Sequence, residues 1–269
     1  MKNRILAFRK HLGTEIRQWR NSEAPLKRGI YTLAHQGWEL LRFLTNGRFR
    51  SEKLAARKSK GGYHQRSTLT APDRYPLLFQ QAKLYFMNKV DNPNLLSFGC
   101  STGEEVFTLG KYLPNAHVVG VDINKWCLSQ CRKNNGNPRQ YSFLYRFSRE
   151  FKAADNFDAI FCLAVFQRTE NRTNEDNSIS TTYTFGQFEQ EIMMLDGKLK
   201  EGGLFVIDHS DFSFTDALCS KNYLPLPFEN NQLLRYRPLF DRNNQKIAET
   251  QNNFRMFVKQ SKTGDSLSA

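Results

Sequence analysis

The residues best placed to do chemistry lie between 95 and 122. Leu95-Leu96-Ser97-Phe98-Gly99-Cys100-Ser101-Thr102-Gly103-Glu104-Glu105 is a short apolar run, a Gly-x-x-x-Gly turn and the start of a helical pattern. Glycines are expected where backbone must approach a ligand, because a Cβ there would collide with it. The N–H groups of the following helix start suit a carboxylate or phosphate. Nineteen residues beyond Gly103, a second apolar run, Val118–Ile123, ends in Asp122-Ile123, where an acid can accept both hydroxyls of a ribose. Glycine turn plus ribose acid is the constellation of an adenosine-type cofactor.

The spacing separates the candidates. A dinucleotide fingerprint needs G-x-G-x-x-G, and here Ser101 stands between Gly99 and Gly103. A P-loop needs Gly-Lys-Ser/Thr, which does not follow. Glu104 and Glu105 would repel a pyrophosphate, yet either could pair with an ammonium. That combination points to S-adenosylmethionine, whose aminoacyl end carries both charges.

The surrounding pattern supplies elements to position these residues. Apolar runs at 95–99, 118–123, 141–145, 157–162 and 204–207 alternate with helical patterns at 104–113, 125–134 and 186–200. This alternation predicts βαβ units and a parallel, doubly wound sheet. Lys200-Glu201-Gly202-Gly203 reads as the stop of the 186–200 helix. Residues 233–240 and 254–260 read as a late antiparallel hairpin turning at 241–245, with a polar tail at 261–269.

With these pieces in view, residues 70–260 resemble the class I S-adenosylmethionine-dependent methyltransferases, a Rossmann-like α/β family. The run 99–105 is similar to the loop of the chemotaxis-receptor glutamate methyltransferases. Phe157–Cys162 looks like the family's fourth strand, and Leu199-Lys200-Glu201-Gly202-Gly203-Leu204 resembles its Leu-Lys-Pro-Gly-Gly-Leu turn into strand five. The resemblance implies that Gly99, Cys100, Ser101, Gly103 and Glu104 hold the methionine part. It implies Asp122 and Ile123 at the ribose, and Leu163 and Ala164 beside the cofactor. Ser97 occupies the place of a more common acid. After strand four the chemotaxis enzymes carry Asn-Val-x-x-Tyr, whereas this chain has Ala164-Val165-Phe166-Gln167-Arg168, which argues against receptor glutamate methylation.

The acceptor side is thinly marked. His209 follows the fifth apolar run, at the carboxyl end of the sheet where substrate must lie. Histidine is the side chain most easily poised as a base near neutral pH. Arg168 and the polar insert 169–183 border the same edge, and Tyr63 and His64 follow the Gly61-Gly62 break. Cys127 and Cys131, four apart on a helix, read as buried thiols; no metal site is expected. No Asp/Asn-Pro-Pro-Tyr/Phe or Pro-Cys follows strand four, which argues against methylation of nucleobases.

Composition bounds the rest. Of the net charge of +13, residues 1–66 carry +12 and residues 67–269 only +1. Two amphipathic helices are expected in the basic part, at 3–20 and 26–45, followed by a mobile polar segment at 48–66. Three regions follow: a basic helical appendage at 1–62, a methyltransferase domain at 63–260 and a tail at 261–269. No apolar run is long enough to span a bilayer, and five cysteines suit a reduced, cytoplasmic protein. The expected function is methyl transfer to oxygen or nitrogen of a small-molecule acceptor. The alternatives are a protein carboxyl or side-chain methyltransferase recruited through the basic arm, and a non-catalytic cofactor-binding scaffold. An acidic protein or an anionic surface can meet residues 1–62, with nucleic acid the less favoured partner.

Overall fold

The computed structural model describes residues 19–58, 70–167, 183–229, 232–233, 239–247 and 253–261. It divides into two compact units, Met1–Lys53 and Leu54–Ala269.

In the larger unit the five apolar runs become parallel strands: Asn94–Phe98 (β1), His117–Asp122 (β2), Tyr141–Tyr145 (β3), Phe157–Leu163 (β4) and Leu199–Asp208 (β5). Short strands follow at Tyr223–Pro225 (β6), Gln232–Leu233 (β7), Leu239–Phe240 (β8), Lys246–Ile247 (β9), Asn253–Phe254 (β10) and Met256–Lys259 (β11). The main sheet has seven strands in the order β3-β2-β1-β4-β5-β11-β6, and β11 runs antiparallel to both its neighbours. The strand order reverses between β1 and β4, which makes their carboxyl ends the expected crevice for a ligand.

Neighbouring strand residues face opposite layers. Leu96, Val119, Ile160 and Phe205 pack with Phe151, Phe188 and Ile192 on one face. Leu95, Val118, Phe161 and Val206 pack with Phe79, Val106, Leu109 and Leu128 on the other. Burial of both faces explains why these strands read as nearly continuous apolar runs rather than alternating ones. The smaller unit contains Pro25–Thr45 (α1) and the start of Gly47–Lys58 (α2); the helices that follow in the larger unit are Pro76–Phe86 (α3), Glu104–Tyr112 (α4), Lys125–Asn134 (α5), Arg149–Ala153 (α6) and Phe185–Asp196 (α7). Lys198 is buried, and its ammonium donates to the carbonyls of Phe151, Lys152 and Ala154, closing the end of α6.

Three expectations are corrected. Residues 48–58 are helical rather than mobile: Asn46 ends α1, and its side chain accepts the Phe49 N–H at 3.0 Å, starting α2 at once. Helix α7 ends at Asp196 with Gly197 as its cap, so Lys200–Gly203 lies inside β5, where Gly202 (φ +71°) accompanies a shift in the β4–β5 register. The late hairpin does turn at 241–245, between β8 and β9. Among the described residues Asn253–Phe254 pairs with Gln232–Leu233, and β11 joins the main sheet beside β5. Apolar Met256 and Phe257 are buried there, which a free hairpin could not achieve.

Candidate functional site

Strand β1 runs into the glycine turn, and the turn runs into α4, as the spacing required. Gly99 (φ +81°) and Gly103 (φ +98°) are both left-handed, and Gly103 is the N-cap of α4 with no side chain capping the helix. The reason for glycine at 99 differs from the expected one. A Cβ there would lie 2.5 Å from Cγ2 of Val165, so the turn is pressed against the β4 exit rather than cleared for a ligand. At Gly103 a Cβ would meet Phe107 at 3.0 Å and Cys131 Sγ at 3.2 Å.

Asp122, the last residue of β2, ties two turns together. One carboxylate oxygen accepts the Ser101 N–H at 2.8 Å and the other accepts the Asn124 N–H at 2.6 Å. Burial raises its pKa to about 6, against the lowering effect of these backbone N–H groups. Each oxygen keeps lone-pair capacity for a further donor. The helix-capping role belongs to its neighbour Asn124, whose side chain accepts from Trp126 and Cys127 at the start of α5. Ile123 between them is half-buried.

The two glutamates diverge. Glu104 is partly exposed, and its carboxylate accepts from the Thr102 hydroxyl at 2.7 and 2.9 Å. Glu105 turns inward, and its carboxyl accepts from the Ser97 hydroxyl at 2.8 Å. The helix thus returns a carboxyl group to the strand position where Ser97 replaces the more common acid. Burial pushes Glu105 up to about 8, opposed by the Ser97 hydrogen bond and the charge of Arg74. Neither helix phase nor inward orientation is visible in a Glu-Glu pair; the Ser97-to-Glu105 separation of two helix-facing positions is the signal that could have found it.

A pH consequence follows from the sign of this shift. The native state holds the Glu105 proton more tightly than the unfolded chain, whose carboxyl has a pKa of about 4.3. Stability is therefore lost as pH rises from there toward 8. The ligand-free protein is expected to lose roughly 5 °C in melting temperature between pH 6 and 8.5. Glu105→Gln, which keeps an oxygen for Ser97, should flatten that slope in a calorimetric pH series.

The same sheet edge carries the acceptor-side candidates. Leu163 and Asp208 end β4 and β5 in register, and the Ala164 N–H donates to the Asp208 carbonyl at 2.9 Å. Ser101, Ala164 and His209 each follow a strand at this edge with left-handed φ of 49°, 61° and 53°. Non-glycine residues rarely adopt this conformation, and clusters of such strain accompany functional sites. His209 is held by Asp208, which is buried. Its own N–H donates to Asp208 Oδ1 at 2.6 Å, and its Nδ1 stands 3.0 Å from that oxygen. The Tyr75 ring meets the imidazole edge-on with centroids 5.5 Å apart, and Arg255, also buried, lies 3.8 Å from the other Asp208 oxygen. Tyr75, Asp208 and Arg255 carried no mark in the sequence, since each belongs to a stretch with no motif.

Cys100 is buried at the turn, and Cys127 and Cys131 are buried on α5. Among the described residues no group of three His, Cys, Asp or Glu side chains is placed to hold a metal. Arg168, the insert 169–183 up to residue 182, Tyr63, His64 and most of the 3–20 helix lie outside the described residues.

The donor set fits S-adenosylmethionine. An uncapped helix N-terminus faces the turn, two carboxyl groups flank it, and an acid with spare acceptor capacity ends the next strand. Comparison with known proteins agrees: residues 95–177 match the family model described as a methyltransferase domain. A search of curated proteins finds no matching relative. Solved structures that this chain is similar to include the plantazolicin methyltransferase BpumL in complex with SAH, with 17% identity, 68% of this chain and 62% of that chain covered, and TM-score 0.35. A putative sarcosine dimethylglycine methyltransferase from Galdieria sulphuraria matches at 15%, covering 48% and 44%, with TM-score 0.35. The PH0226 protein from Pyrococcus horikoshii OT3 matches at 17%, covering 52% and 59%, with TM-score 0.36. The chain spans less than two thirds of the length of each. Residues 95–177, which include the glycine turn and the acid ending β2, are thus similar to a methyltransferase domain.

Proposed function

We propose that this chain transfers a methyl group from S-adenosylmethionine to an oxygen or nitrogen of a small-molecule acceptor. The observation that supports the reading is that the carboxyl edge of one sheet carries Asp122 at the end of β2, the Ser97–Glu105 contact beside β1 and the partly exposed His209 after β5. The α4 N-terminus and the N–H groups of the 99–103 turn would hold the cofactor's carboxylate. Glu104 would hold its ammonium, Asp122 its ribose hydroxyls, and Ile123, Leu163 and Ala164 its flanks. Bound there, the cofactor supplies a methyl already activated on a sulfonium.

The protein's own work is then alignment and, for some acceptors, removal of a proton. Holding nucleophile and methyl in line supplies much of the acceleration without a base. An acceptor that arrives as a phenol or an ammonium must lose a proton, and His209 is the group at this edge able to take it. Asp208 Oδ1 lies 3.0 Å from the imidazole Nδ1, while Arg255 and the His209 backbone N–H balance the Asp208 carboxylate.

The test is a transfer assay with methyl-labelled cofactor and fractionated cell extract. Label is expected in the low-molecular-weight fraction. Base-labile label in protein instead would favour the carboxyl-methylating alternative. Once an acceptor is in hand, His209→Gln should lower kcat about 10²-fold with KM little changed. Equal activity of the variant would remove the base role.

A further inference from the structure

Helix α1 is amphipathic, and its apolar side is uncovered. At 100° per residue, Leu26, Ile30, Leu33, Gly37, Leu40, Leu41 and Leu44 fall within one third of its circumference. Leu26 is 76% exposed, Leu33 71%, Leu44 64% and Leu40 60%, and no residue of the helix is buried. The less exposed positions are Tyr31, Glu39 and Phe43, all on the other side. That other side is where α2 is braced: Lys53 donates to Glu39 at 3.1 Å, and the Arg42 guanidinium stands 4.2 Å over the Phe49 ring. The leucine face is thus left out of the unit's own packing. A contiguous apolar face of this size marks an interaction surface.

The charge around the face indicates the occupant. Lys27 and Trp38 lie at one border of the leucine arc, and Tyr31, Arg42 and Arg28 follow on the polar side of the helix. Residues 19–53 carry seven Lys/Arg against three Asp/Glu, within an N-terminal part of +12. A leucine face, interfacial aromatics and flanking cations form the pattern of a helix that lies in a lipid interface. A second copy would bring the same cations against one another. No helix among the described residues is long and apolar enough to cross a membrane, so the contact would be peripheral. We propose that α1 docks the protein on an anionic lipid surface, with its leucine face in the acyl boundary, Lys27 at the headgroup border and Arg28 and Arg42 on the polar side.

The experiment is co-sedimentation of the full chain with vesicles of phosphatidylcholine, with and without 30% phosphatidylglycerol. Wild type is expected to sediment with the anionic vesicles only, and to be released as salt rises. Leu33→Glu/Leu44→Glu, at positions too exposed to affect folding, should weaken binding more than tenfold. Lys27→Gln/Arg28→Gln should weaken it about 30-fold, roughly fivefold per cation. No sedimentation, equal sedimentation with neutral vesicles, or wild-type binding by the leucine variant would each overturn the proposal. So would a dimer in vesicle-free solution that the leucine variant dissolves, since that assigns the face to a second copy. Salt-sensitive binding to duplex DNA without vesicle binding would assign the cations to nucleic acid instead.

Discussion

Asp122→Ala should raise the dissociation constant for S-adenosylmethionine about 100-fold, a loss of about 3 kcal/mol. In the proposed site the carboxylate would accept from two ribose hydroxyls, and hydrogen bonds to a charged group contribute about 1.5–3 kcal/mol each. Part of the loss would come through the turn, because Asp122 also accepts the N–H groups of Ser101 and Asn124. Asp122→Asn separates the two effects. It keeps the side chain's size and one acceptor, so the weakening should be nearer tenfold. Burial raises Asp122 to about 6, so wild-type affinity should fall as pH drops through that value, while the Asn variant should show no such step. Titration calorimetry from pH 5 to 7.5 checks both. Unchanged affinity in Asp122→Ala would place the cofactor elsewhere.

Gly99→Ala is expected to be the most damaging single-methyl change in the sheet. At φ +81° an alanine is strained by about 1–2 kcal/mol, and its Cβ would sit 2.5 Å from Val165 Cγ2. Overpacking of this kind adds about 1–3 kcal/mol, so the melting temperature should fall by roughly 6–12 °C. Val165→Ala in the same chain removes the 2.5 Å contact, leaving a tight 3.0 Å approach to the residue 165 Cβ and the backbone strain. The double variant should therefore recover about half the loss, as a double-mutant cycle would show. No recovery would mean that the glycine is required by its backbone conformation alone.

The cofactor half of this protein was legible because its chemistry is written in local order. A strand, a glycine turn, a helix start and an acid at the next strand end are each short-range features, and the structure places them as spaced. The role of Glu105 was not legible, because an inward carboxyl depends on helix phase and on Ser97 across the turn. The Asp208–His209–Arg255 cluster joins β5 to β11, and only the late strand's entry into the main sheet brings Arg255 there. Such a long-range pairing leaves no periodicity to read. The end of α7 was misjudged for a related reason: Gly197 caps the helix, while Gly202-Gly203 accommodates a register shift inside β5. Helix α2 went unread because its start depends on one Asn46 side chain and its residues carry little apolar pattern.

The edge formed by the 99–103 turn, Asp122 and the ends of β4 and β5 is the proposed cofactor site. Titration of the chain with S-adenosylmethionine at pH 7.5 tests this assignment. One saturable site per chain, lost on Asp122→Ala while folding is retained, is the predicted result. Absence of binding by the folded wild type would contradict it.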